Sequence, residues 1–118
     1  MSEPNDLTYR EVVPTSRPEL ERLLESGNER AIIDALLSAA FYESDWRWVQ
    51  NTCPQLLAHP AKWVRWNAAT CLGHIARIHK DLDVEIVLPR LHALEDDSEI
   101  GSSVQDALDD ISWYLRPQ

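Results

Sequence analysis

From residue 18 onward, apolar positions recur at spacings of three and four among strong helix formers, the pattern of amphipathic helices. Ser16-Arg17-Pro18-Glu19 reads as a capping box with proline in the first turn. It opens a helix through Leu20, Leu23 and Leu24 that stops at Gly27. Asn28 caps a second helix carrying Ile32, Ala35, Leu36 and Ala39, and also Ile33, Leu37, Ala40 and Phe41. Apolar nearly all round, it is expected to be buried on most sides. Ser44 is expected to cap a third helix, Asp45 to Ala58, with Trp46, Val49, Cys53 and Leu56 or Leu57 inward. Pro54 inside it should kink or restart it, and His59-Pro60 ends it. A fourth helix covers about Lys62 to His79, with a core stripe of Val64, Ala68, Cys71, Leu72 and Ile75. A fifth covers about Val84 to Ala93 or Leu94, with Pro89 inside. Glu95-Asp96-Asp97-Ser98 reads as a turn that also caps a sixth helix. That helix runs to about Leu115, with Ile100, Val104, Ala107, Leu108 and Ile111 inward. Residues 1–15 lack this pattern. Leu7 to Val13 reads as a short strand or as an arm laid over the second helix. The expected organisation is an arm, residues 1–15, and one helical domain, residues 16–118.

The helices repeat. Cys53-Pro54-Gln55-Leu56-Leu57-Ala58 matches Leu88-Pro89-Arg90-Leu91-His92-Ala93 at an offset of 35. At an offset of 36, Val64 falls on Ile100, Ala68 on Val104, Cys71 on Ala107, Leu72 on Leu108 and Ile75 on Ile111. Residues 18–42 fit the same helix–turn–helix unit without the proline. One such pair cannot bury its apolar face alone, whereas three stacked pairs share a continuous core. The segments Pro54-x-Leu56-Leu57 and Val64-Arg65-x-x-Ala68-Ala69-x-x-Leu72-Gly73-x-Ile75 resemble the HEAT-repeat family. The last unit departs from that pattern at Ile100-Gly101, where Val-Arg is usual. The resemblance spans roughly residues 18–115. It implies an all-α fold, a short right-handed α-solenoid of about three HEAT-like helix pairs. It also implies a face for binding macromolecules and no chemistry of its own.

Composition narrows the function. Hydrophobic residues are 44% and charged residues 26% of 118, ordinary for a globular domain. No apolar run approaches the roughly 18 residues of a membrane helix. Met1-Ser2-Glu3-Pro4-Asn5-Asp6 lacks the basic start and apolar core of a secretory signal, so the cytoplasm is the expected compartment. Twenty acids and eleven bases give a net charge of −9. Residues 80–118 hold ten of those acids and three of the bases, while residues 43–79 hold two acids and four bases. Such a chain is repelled by nucleic acid and anionic membrane, and attracts a basic partner. The four histidines form no HExxH and no i, i+4 pair, so neither metal nor other cofactor is expected. Cys53 and Cys71 lie on apolar stripes and read as inert core thiols. No Gly-x-Ser-x-Gly, Walker or dinucleotide fingerprint occurs, and no enzyme is expected.

Opposite the core stripes, the fourth helix carries Trp63, Trp66, Thr70, His74 and Arg77. The sixth carries Glu99, Ser102, Asp106, Asp109, Asp110 and Trp113. The offset aligns Thr70 with Asp106, His74 with Asp110 and Arg77 with Trp113. Side by side, they would make one surface of three tryptophans and four carboxylates. Large aromatics are common interface anchors, and carboxylates speed encounter with a basic partner. Packing of the tryptophans between repeats and a solvated acidic face are the alternatives. By size, charge and fold the chain also resembles small bacterial immunity proteins, which bind and neutralise a toxin domain. That resemblance implies a monomeric, non-catalytic inhibitor of one basic protein partner, a nuclease among the candidates. A general HEAT adaptor and a HEAT-type accessory factor of an enzyme remain the other readings.

Overall fold

Short polar side chains set where the helices begin. The computed structural model describes residues 12–116, and among them it holds six α-helices and no strand. Ser16 Oγ accepts from the Glu19 amide at 3.4 Å and opens α1 (Arg17–Leu24). Glu19 does not close the capping box, because its carboxylate is taken by Arg22 one turn on, at 2.9 Å. Gly27 makes the left-handed turn, φ +75°, that glycine adopts without strain. Asn28 Oδ1 then accepts from Ala31 N–H at 2.9 Å and opens α2 (Glu29–Tyr42).

The third helix differs from expectation at both ends. Its cap is Asp45, not Ser44: the Asp45 carboxylate accepts from Trp48 N–H at 3.2 Å, and α3 is Trp46–Leu56. A carboxylate there also suits the helix dipole better than a hydroxyl. The helix stops short of Ala58 because Ala58 and His59 donate three residues back, to Gln55 and Leu56, tightening the end. It runs through Pro54 without restarting. Helix α4 (Lys62–His79) matches the sequence reading, closed by Lys80 in the left-handed region, φ 56°. Helix α5 is Val84–His92 and includes Pro89. Helix α6 (Gly101–Tyr114) begins after the acidic turn rather than in it. Asp97 Oδ1 accepts from the amides of Glu99 and Ile100 at 2.8 and 3.0 Å, so this carboxylate ties the turn itself. A Cβ at Gly101 would meet Glu95 O at 3.0 Å, which accounts for glycine where the repeat pattern has arginine.

Helix α4 is the centre of the packing, in contact with α2, α3 and α6; α1 packs on α2, and α5 on α6. All ten residues aligned by the repeat, from Val64 and Ile100 to Ile75 and Ile111, are buried. A Cβ added at Gly73 would stand 3.1 Å from Ala107 Cα, so glycine lets α4 and α6 approach closely. Ser103, also buried, donates to Trp66 O at 2.7 Å and lies 3.0 Å from Thr70 Oγ1, joining the same two helices.

Two further ties cross longer spans. Gln50 of α3 is 1% exposed, and its Oε1 accepts from Asp83 N–H at 2.7 Å while its Nε2 donates to Asp83 Oδ2 at 3.0 Å. Arg47 closes a two-pronged pair on the same carboxylate, at 2.8 and 2.9 Å. Before α1, Ser38 Oγ donates to Val13 O at 2.6 Å and Tyr42 Oη to Val12 O at 3.3 Å. Residues 12–13 therefore lie along α2, whereas Leu7 to Glu11, on which the strand-or-arm expectation mostly falls, are outside the described residues.

Candidate protein-binding surface

Helical spacing puts Asp106, Asp109, Asp110 and Trp113 on adjoining positions of α6, one to two turns apart. Trp113 is 61% exposed. The Arg116 guanidinium lies 3.7 Å from its ring centroid. Across the α4–α6 seam, Thr70 shares an open depression of about 450 Å³ with Asp106, Ala107, Asp109 and Asp110. The structure thus brings Thr70 and Asp106 together, as their alignment implies. Asp109 is held by Gln105 Nε2 at 3.0 Å. Ser102 is exposed on the first turn of α6.

His74 is half-buried, its ring 5.0 Å from Phe41, and Arg77 Nη2 lies 2.8 Å from its Nδ1. Burial, then the neighbouring Arg77 charge, push its pKa below the ordinary histidine value, and Asp110 pulls the other way. His74 and Asp110 are therefore electrostatic neighbours across the seam. Arg77 is engaged with His74 and half-buried rather than presented freely.

Trp66 is placed otherwise, and Glu99 stays exposed but lies outside the helix. Trp66 is half-buried against the core, with Trp63 edge-on to it at 5.5 Å. Its carbonyl is the acceptor for Ser103, so it serves the seam. Glu99 precedes α6 instead of lying in it, and Arg65 binds its carboxylate. Trp63 itself is 49% exposed. Its neighbourhood was not singled out by the sequence: a groove of about 560 Å³ lined by Asn28, Glu29, Arg30, Ile33, Leu37, Trp63 and Asn67. The signal for it is the second helix being apolar on more sides than burial against α1 and α4 requires.

The remaining tryptophans pack. Arg17 stacks on Trp48 at 3.7 Å and Arg47 on Trp46 at 4.6 Å, both rings lying half-buried on the core. Cys53 and Cys71 are buried, and hydrogen bonding to Cys53 followed by burial keeps the Cys71 thiol well above its ordinary pKa. Among the described residues no group of three or more His, Cys, Asp or Glu is placed to hold a metal ion. No described helix is long and apolar enough to cross a membrane.

The chain is similar to a chain in the crystal structure of a CDI complex from Cupriavidus taiwanensis LMG 19424. The TM-score is 0.80 and the identity 38%, over 90% of this chain and 96% of that one. No family model matches the sequence. No curated protein matches it either.

Proposed function

This chain belongs to the same family as its counterpart in the Cupriavidus taiwanensis CDI complex, and from that premise we propose that it is an immunity protein of contact-dependent inhibition. It binds a bacterial toxin domain and neutralises it without catalysis. The observation that carries this reading is the similarity along nearly the whole of both chains. Of the two roles in a toxin–immunity pair, the acidic balance favours the inhibitor. The partner is basic, since a net charge of −9 and the Asp106–Asp110 face suit a positive surface. A nuclease fits, its cationic substrate track being what such a face would cover.

In the same reading the six helices form a short right-handed solenoid of three pairs, α1–α2, α3–α4 and α5–α6. Contacts of α2 and α6 with α4, the equivalent helices of successive pairs, support it. The protein acts in the cytoplasm and is monomeric when free. The contact surface is centred on Thr70, Asp106, Asp109, Asp110 and Trp113.

The test is isolation of the chain from its native cells with whatever remains bound, followed by co-expression of the two. A basic domain that arrests growth alone and is harmless with this chain is the expected result. Toxicity unchanged by the chain, or an acidic partner, refutes the reading.

A further inference from the structure

The groove between α2 and α4 combines the apolar Ile33, Leu37 and Trp63 with the polar Asn28, Glu29, Arg30 and Asn67. Three of its four polar lining residues, Asn28, Arg30 and Asn67, have partners. Asn28 caps α2 through Ala31 N–H at 2.9 Å, Asn67 Nδ2 donates to Trp63 O at 2.8 Å, and Arg30 pairs with Asp34 at 3.4 Å. The large apolar group the groove presents is Trp63, 49% exposed and held by Trp66 at its edge and by Lys62 Nζ 4.6 Å from its centroid. Asn67 and Thr70 lie three residues apart on α4, so this groove opens about one turn, roughly 5 Å along the axis, from the acidic depression. Apolar and acidic surfaces thus adjoin on one side of the molecule.

Residues 12 and 13 do not line this groove. Val13 O is bound by Ser38 and Val12 O by Tyr42, so the backbone followed from Val13 to Val12 heads towards the C-terminal end of α2. The groove's lining on this side runs from Asn28 to Leu37 and includes neither Val12 nor Val13.

We infer that this groove is the apolar anchor site for the partner: it takes one aromatic or aliphatic side chain of the basic toxin domain, from a segment whose neighbouring Lys or Arg residues reach Asp106 and Asp110. The inference rests on the toxin-binding reading and adds to it a second contact and a bipartite motif. Charge complementarity selects the occupant. A second copy of this chain would bring another net charge of −9 against the acidic depression, whereas a basic domain brings the opposite sign. Filling a pre-shaped apolar pocket with one large side chain is the usual form of an interface anchor.

The probe is the toxin domain recovered with the chain from its native cells. Full-length chain carrying a photo-activatable benzoylphenylalanine in place of exposed Arg30 is irradiated with that domain, and crosslinked peptides are sequenced. The expected product joins position 30 to a stretch of the toxin holding an apolar residue within a few positions of Lys or Arg. In parallel, Trp63→Ala weakens binding about 30-fold, the fold-change of an anchor residue. Crosslinks to residues 1–11 or to a second copy, or no crosslink to the bound toxin, overturn the inference. If Trp63→Ala proves misfolded by circular dichroism, Trp63→Phe, which keeps an apolar ring, must bind within a few-fold of the parent, and Asn67→Glu, which puts a charge in the groove, must bind at least 10-fold more weakly. A toxin that binds Asp106→Asn, Asp110→Asn poorly and Trp63→Ala normally overturns the anchor site alone. Recovery of no toxin domain overturns the functional reading itself, and the anchor with it.

Discussion

Arg77 Nη2 lies 2.8 Å from His74 Nδ1, and because a guanidinium only donates, that nitrogen accepts and the imidazole is neutral with its proton on Nε2. Protonating Nδ1 breaks the bond and sets two cations side by side, with Asp110 the opposing charge. The folded pKa lies below the ordinary 6.5, mainly through burial. Below pH 6.5 the unfolded chain therefore takes up a proton that the folded imidazole refuses. Stability from this group is complete above 6.5 and is lost as pH falls from there through the folded pKa. Thermal unfolding between pH 5 and 8 should show His74→Gln with a flatter profile below 6.5 than the parent. An identical slope in both would remove His74 as the source.

Asp83 acts in a lower window. The Arg47 hydrogen bonds, and then Gln50, hold its pKa at about 2 against an ordinary 3.8. Between those values the unfolded carboxylate is protonated and the folded one is not, so its contribution is present above 3.8 and disappears as pH falls through about 2. Urea unfolding from pH 5 to 2 should give Asp83→Asn a shallower loss of stability than the parent.

Gln50 is the buried half of the same tie. Replacing it by Ala leaves the Asp83 amide without its acceptor and empties a side-chain volume at a site 1% exposed. Denaturant titration at pH 7 should show a loss of about 2–3 kcal/mol. A change within about 0.5 kcal/mol would mean that water replaces the amide at little cost.

Gly73 sets the distance between α4 and α6. With Ala107 Cα already 3.1 Å from the position of an added Cβ, Gly73→Val must separate the helices or displace Asp110, whose Oδ2 is equally close. The expected cost is about 1–3 kcal/mol, measured by chemical unfolding. Binding by the folded fraction should also fall, since the acidic depression is built across this seam.

Trp113→Ala separates surface from scaffold. With Trp113 61% exposed and its ring stacked by Arg116, stability should shift by no more than about 1 kcal/mol. Calorimetric titration with the partner should show a loss of about 2 kcal/mol or more. Normal affinity would move the contact away from α6.

The helices were legible because their signals are local. Ser16 and Asn28 cap the amides three residues on, and the paired stripes Val64–Ile75 and Ile100–Ile111 are buried throughout. The third cap falls one residue beyond the expected Ser44 because Ser44 and Asp45 are both good cap formers, and which one is used depends on how the chain leaves α2. The Gln50–Asp83 and Ser103–Trp66 ties join residues 33 and 37 positions apart, which no helical periodicity records. The same limit applied to the surface. Spacing set Asp106, Asp110 and Trp113 on one side of α6, but it could not tell Trp63, exposed, from Trp66, pressed on the core.

The central place of α4 has a kinetic side. Its amides are roofed by α2, α3 and α6, whereas α1 and α5 each rest chiefly on one neighbour. Fluctuations should therefore open α1 and α5 before the rest. In deuterated solvent, α1 and α5 should exchange first, and Ala68, Leu72 and Ile75 should hold their protons until the whole chain opens at once. Cut between Ala58 and Lys62, the chain would leave α4 on one piece and two of the three helices that roof it on the other. The two fragments should fold only on meeting.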